Sequence, residues 1–230
     1  MLRTIHSVNI KKRTVHVSDE VLEQFRQYDA ATVYKAMGYR GAMDDRIKPL
    51  SSEMKMCGRA LTVQTVDGDN LMVHKALQIA EPGDVIVINA GGEGSKSSTL
   101  GDVMVFQAKV SGLAGLVLNS SVLDSIKIRK LGLPVFCNGV AIKGAQKACL
   151  GWINYPVSVG GVTVNPGDIV LGDADGVTVV PAELAEEILE QCRAREDYEA
   201  TVFERIINGE HLYDISDYEE TLLALGCTEE

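Results

Sequence analysis

The stretch PGDVIVINAGGEGSKSSTLGDVMVFQAKVSGLAGLVLNSSVLDSIKIRKLGLPVFC, residues 82–137, decides the fold class. Three short apolar runs recur within it: Val85–Asn89, Leu116–Asn119 and Pro134–Cys137. A continuous apolar run of this length, bounded by turn residues, suits a strand buried on both faces. A glycine-rich loop and a helix over about Leu100–Val110 separate the first two runs. A shorter helix, about Ser125–Leu131 and ended by Gly132, separates the last two. This alternation predicts right-handed parallel crossovers.

Upstream, Ser18 is placed to cap a helical region over Ser18–Met37, with a second short helix at Ala31–Met37 stopped by Gly38. Cys57–Val66 alternates as a strand does, and Asn70–Ile79 reads as a helix. Downstream the style changes. Val157–Val159, Val162–Val164, Ile169–Gly172 and Val177–Val180 are short strands separated by Gly-Gly, Asn-Pro-Gly-Asp and Asp-Ala-Asp-Gly turns, which predicts an antiparallel layer. A long helix over Ala182–Asn208 and another at Asp217–Leu225 close the chain. The expected architecture is α/β: one β/β/α domain over residues 1–230 with a mixed sheet. An N-terminal arm of about 1–17 and a C-terminal helical extension of about 182–226 flank it.

The 230 residues are 46% hydrophobic and 23% charged, enough apolar content for a real core. The net charge of −10 repels phosphate backbones and argues against a nucleic-acid partner. Lys11-Lys12-Arg13 reads as a solvated arm. Five scattered cysteines lack metal-ligand spacing and read as free thiols. The first 20 residues lack the apolar core of a signal peptide, and no apolar stretch approaches the about 18 residues of a membrane span. The cytoplasm is the expected compartment, with no membrane partner.

In parallel α/β sheets ligands bind beyond the carboxyl ends of the strands. Two loops fall there. Ala90–Asp102 could cradle an anion with backbone amides at a helix N-terminus, or be a plain surface loop. It is no Walker loop, because Ser95 precedes Lys96, and no dinucleotide fingerprint, because Ser97 stands where the third glycine belongs. Asn119–Asp124 enters the next helix. Asp124 is there either as a helix cap or as a ligand of a hard divalent cation, and spacing does not choose. His74 reads as structural, Asp173 and Asp175 as turn residues, and Glu196, Asp197 and Glu199 as a solvated helix face unless another subunit packs there.

Read together, several segments carry a resemblance. They are Thr32-Val33-Tyr34-Lys35-Ala36 with Gly41, Gly68-Asp69-Asn70 with His74, and Pro82-Gly83-Asp84-Val85. Gly101-Asp102-Val103-Met104, Leu131–Phe136, Gly160-Gly161-Val162, Asn165-Pro166-Gly167-Asp168 and Asp173–Val177 follow. In order and spacing, over about residues 28–226, the chain resembles the RraA-like family. That family includes class II pyruvate aldolases acting on 4-hydroxy-4-methyl-2-oxoglutarate and 4-carboxy-4-hydroxy-2-oxoadipate.

The resemblance implies a swivelling-type β/β/α fold, assembled as a homotrimer or a hexamer with sites between subunits. It implies that the amides of Gly101, Asp102, Val103 and Met104 hold the carboxylate of a small 2-oxo acid. Asp124 would bind Mg²⁺ or Mn²⁺, and Asp102, Asp124 and a Glu199 reaching in from a neighbouring subunit would form the catalytic set. The aldolase motif Gly-x-x-Arg-Asp reads Ser120-Ser121-Val122-Leu123-Asp124 here, with leucine where the substrate-binding arginine belongs. Loss of a preorganised cation at a charge-developing centre costs about 10²–10³-fold in rate. Lys96, Lys127 and Lys143 are candidate replacements. The expected function is a metal-dependent lyase working through a pyruvate enolate, by retro-aldol cleavage or oxaloacetate decarboxylation. The alternatives are a related enzyme with another substrate, Leu123 lining an apolar subpocket, or a non-catalytic regulator of RNA degradation.

Overall fold

The computed structural model describes residues 8–92 and 97–228. Its helices in chain order are α1 (Asp19–Phe25), α2 (Ala30–Ala36), α3 (Leu71–Ile79), α4 (Asp102–Val110), α5 (Ser125–Leu131), α6 (Ala185–Ile207), α7 (Leu212–Ile215) and α8 (Tyr218–Ala224). The strands are β1 (Lys48–Pro49), β2 (Met56–Gln64), β3 (Asp84–Asn89), β4 (Ser98–Leu100), β5 (Gly115–Leu118), β6 (Ser121–Val122) and β7 (Val135–Cys137). They continue with β8 (Gly139–Val140), β9 (Trp152–Ile153), β10 (Val157–Val159), β11 (Val162–Val164), β12 (Ile169–Asp173) and β13 (Gly176–Val180).

The main sheet runs β1-β7-β5-β3-β2-β12-β13, with β9 added alongside β2. As the crossover pattern predicts, β2, β3, β5 and β7 are parallel neighbours. The later strands pair antiparallel, β12 with both β2 and β13, and β10 with β11. Lys48 on β1 donates to the Asp175 carbonyl at the far edge, 2.5 Å away, so the sheet nearly closes.

The apolar runs are apolar throughout because both faces are covered. Along β3, Ile86 and Ile88 pack outward with Leu116, Leu118 and Val135 beneath α3, α4 and α5. Val85 and Val87 alternate inward, with Val117 and Phe136, onto Val157, Val159 and Val164 of the β10–β11 hairpin. Hairpin, sheet and helices are the three layers of a β/β/α fold. Each large side chain so buried contributes about 1.5–3 kcal/mol. Farther round the outer face, α1, α2 and the first half of α6 bring Leu22, Phe25, Val33, Ile188 and Leu189 against Ile169 and Val180.

Local signals held in several places. Ser18 Oγ accepts from the Val21 amide at the start of α1. Helix α5 has the predicted limits, and Gly132 ends it with φ at 75°. Two readings need correction. The helix expected from Leu100 begins at Asp102, because Ser98–Leu100 forms strand β4 beside β6. The Lys11-Lys12-Arg13 segment is not a solvated arm. Arg13 has its side chain only 7% exposed, with Nη1 2.6 Å from Asp84 and Nη2 2.6 Å from Glu81, and Lys11 lies over the Tyr155 ring. Asp84 is fully buried at the start of β3, and a buried carboxylate demands a counter-charge. All five cysteines are free thiols. Among the described residues no helix is long and apolar enough to cross a membrane.

Two expectations follow. Burial pushes the Asp84 carboxyl up, offset by the Glu81 amide and the Arg13 guanidinium. Arg13→Met should therefore destabilise the fold by about 3 kcal/mol near neutral pH. The deficit should shrink as pH falls and Asp84 takes a proton; denaturant melts across pH measure it, and a pH-independent deficit would contradict the pair. For the thiols, burial pushes Cys57 up to about 12 and Cys192 to about 11. Iodoacetamide at pH 8 should thus label the exposed Cys149 and Cys227 and spare Cys57, Cys137 and Cys192 until the protein unfolds, as read by peptide mass spectrometry.

Candidate functional site

Three neighbouring parallel strands run out on asparagine: Asn89 as the last residue of β3, Asn119 just after β5 and Asn138 just after β7. The Asn119 side chain accepts from the Ala90 amide at 2.8 Å and donates to Asn89 Oδ1 at 3.1 Å. Asn138 Nδ2 donates to the Asn119 carbonyl at 3.1 Å. This ladder ties the strand ends together where the backbone must leave the sheet. Beyond it the chain forms a small parallel shelf, β4-β6-β8. The Thr99 and Ser120 hydroxyls share a hydrogen bond of 2.7 Å under the shelf, and Asn70 Nδ2 donates to the Thr99 carbonyl. Asn70 Oδ1 is buried and finds no partner among the described residues. Neither ladder nor shelf was read from the sequence, although the repeated pattern of an apolar run followed by Asn was the available signal.

The shelf sets the starts of α4 and α5 side by side. Leu123 N–H donates to the Leu100 carbonyl at 2.9 Å, so the turn into α5 crosses the start of α4. A Cβ at Gly101 would stand 3.3 Å from both Asp124 Oδ2 and Leu123 Cδ1, and glycine permits this approach. Gly101 also occupies the capping position of α4 without a side chain, leaving that end of the helix, with its partial positive charge, open. Val103 N–H donates to Asp102 Oδ1 at 2.9 Å. The other Asp102 oxygen pairs with Lys127 Nζ at 3.0 Å. That ammonium holds the Asp102 carboxyl below the usual carboxylate range, and Asp102 in turn raises Lys127.

Asp124 precedes α5 in the left-handed region, φ 57° and ψ 30°, which aspartate tolerates better than most residues. It stands at the N-cap position of α5, but its side chain makes no capping hydrogen bond, so the carboxylate is not used as a cap. Its exposed carboxylate faces the start of α4, next to Asp102 and Lys127. Among the described residues no three His, Cys, Asp or Glu side chains converge. Asp124 and Asp102 are the two carboxylates that one chain brings together here. That suits Mg²⁺ or Mn²⁺, which keep several waters beside one or two carboxylates.

The other candidates are dispersed. Glu199 stands in a separate helical packet on α6, 3.0 Å from Arg195 and 3.7 Å from Lys35. Lys127 is engaged by Asp102, Lys143 meets the shelf through its carbonyl, which accepts from Ser98, and Lys96 lies outside the described residues. His74 is half-buried, and burial, then Lys147, pushes its pKa down. Asp173 accepts from the Ala30 and Asp175 amides, the turn role expected for it. Asp69 likewise accepts from the Leu71, Ala148 and Cys149 amides.

Residues 14–179 match the RraA-like family model, described as Aldolase/RraA. A Halalkalibacterium halodurans protein named "Putative 4-hydroxy-4-methyl-2-oxoglutarate aldolase" is 38% identical over 177 residues, 77% of this chain and 84% of the relative. The fold is similar to the crystal structure of an uncharacterized protein from Pseudomonas syringae, with a TM-score of 0.78 and 26% identity over 90% of this chain and 98% of that one. It is also similar to Streptomyces coelicolor RraAS2, described as an unusual member of the RNase ES inhibitor RraA family. There the TM-score is 0.73 and the identity 28%, covering 81% of this chain and 97% of that one. Sequence and fold agree, and the chain belongs to the RraA-like family.

Proposed function

We propose that this chain is a carbon–carbon lyase on a small 2-oxo acid, dependent on Mg²⁺ or Mn²⁺. The observation that carries the reading is Asp124: a carboxylate held in left-handed backbone, without a capping bond, beside the uncapped start of α4. The aldolase name of the Halalkalibacterium relative supports the same chemistry.

In this reading the substrate carboxylate lies at the start of α4, held by the amides of Asp102 and Met104 and by the helix dipole, the Val103 amide being taken by Asp102 Oδ1. Asp124 holds the ion, partly through water, and the ion when bound supplies Lewis-acid polarisation of the 2-oxo group. Asp102, paired with Lys127, is in this reading the carboxylate beside the substrate hydroxyl. Glu199 joins from a neighbouring subunit of a homotrimer or hexamer. Exposed Val103, Phe106 and Val110, spaced along one stripe of α4, support a subunit contact close to the site.

Oxaloacetate is the first substrate to test, because its decarboxylation passes through the same enolate. Purified protein with Mg²⁺ or Mn²⁺ should release pyruvate and lose that turnover in EDTA. Asp124→Asn keeps a side chain that tolerates the left-handed backbone but removes the charge. It should retain its melting temperature, lose Mn²⁺ binding by paramagnetic resonance and drop turnover at least about 100-fold. Mn²⁺ binding unchanged in this variant would sink the assignment. Lys127→Met should let the Asp102 carboxyl rise toward the ordinary carboxylate range, read by NMR titration of its carboxyl carbon. An unmoved midpoint would show that the ion pair does not form in solution.

A further inference from the structure

Beside Asp124 the shelf and the start of α5 enclose an open groove of about 540 Å³. This is the size of a small-molecule site. Its walls are Leu123, Ile126, Val140 and Ile142, with Asp124 and Lys127 at the rim. Leu123 is half-buried and leans across the boundary. Its Cδ1 lies 3.3 Å from the position a Cβ would take on Gly101, and its Cδ2 lies 3.8 Å from the same position on Gly144. The groove thus begins where the start of α4 ends, on the far side of the Asp124 carboxylate. Among the described residues, Lys127 is the one cation lining it, and Asp102 already holds that ammonium at 3.0 Å.

Resting on the lyase reading, we infer that the substrate is a 4-hydroxy-2-oxo acid whose C4 carries an uncharged alkyl group, and that Leu123 selects it. With the C1 carboxylate at α4 and the 2-oxo group toward Asp124, the far end of the molecule enters the groove. A carboxylate there would lie against Leu123, Val140 and Ile142, and among the described residues the one cation lining the groove, Lys127, is already paired with Asp102. An alkyl chain gains from the same burial, about fourfold in kcat/KM for each methylene that the groove covers. The reaction balances. The 4-hydroxyl gives up its proton, the C3–C4 bond breaks, and its electron pair moves into the enolate of pyruvate. C4 becomes the carbonyl of an aldehyde bearing the alkyl group, and the enolate takes a proton at C3.

The test compares full-length protein with Mg²⁺ or Mn²⁺ on oxaloacetate, on 4-hydroxy-2-oxo acids with C4 alkyl chains of two to five carbons, and on 4-hydroxy-2-oxoglutarate. The alkyl series should exceed 4-hydroxy-2-oxoglutarate by at least about tenfold in kcat/KM and rise with chain length. Leu123→Arg should reverse the preference, and Val140→Arg, at an exposed position, should shift it the same way if the first variant folds poorly. Equal or better turnover of 4-hydroxy-2-oxoglutarate by the parent protein overturns the inference and leaves the lyase reading standing. So does oxaloacetate turnover with no cleavage of the alkyl series. Pyruvate from none of the three classes overturns both.

Discussion

Four parallel strands buried on both faces leave the backbone one place to regain polar partners, their carboxyl ends, and the architecture depends on how that end is closed. Apolar residues alternate between helices and hairpin along β3, β5 and β7, so no side chain in the runs can satisfy an exiting amide or carbonyl. The asparagines do so instead. Asn119 bridges Asn89 and the Ala90 amide, and Asn138 reaches the Asn119 carbonyl. A carboxamide both donates and accepts, so a row of them can satisfy successive strand ends without introducing charge.

That closure determines where chemistry can sit. With the strand ends tied, the chain steps into the β4-β6-β8 shelf, and two helices begin within contact distance of each other. One start has no capping side chain at Gly101, and of its amides Val103 is taken by Asp102; the other carries Asp124, whose side chain makes no bond to its own helix. Negative groups at a helix N-terminus are ordinarily stabilised, yet here Asp102 and Asp124 crowd the same place, and Lys127 offsets part of their repulsion. The apolar groove next to it gives the same place a second character, so one small site offers charge at one end and hydrocarbon at the other.

The legibility of these parts differed for physical reasons. The runs, the crossovers, the hairpin turns and the limits of Ser125–Leu131 were readable, because periodicity and turn chemistry are local. The shelf was not: two- and three-residue strands such as Ser121–Val122 carry no periodicity and exist because neighbours hold them in register. Arg13 was misread for a related reason. A basic triplet in a polar segment has the composition of a solvated tail, and its partner Asp84 is 71 positions away.

The sequence by itself determined the layer architecture, because burial on both faces and turn residues in fixed order admit few topologies, and its motifs carried the resemblance to the family. It also marked Gly101–Met104 and Asp124 as the places to look. Only the tertiary structure decided that the Asp124 side chain does not cap its helix, that Lys127 belongs to Asp102, and that Leu123 faces an apolar groove. Each of these is set by a contact between segments that adjoin only after the strand ends are tied, and nearest neighbours in the chain carry no information about it.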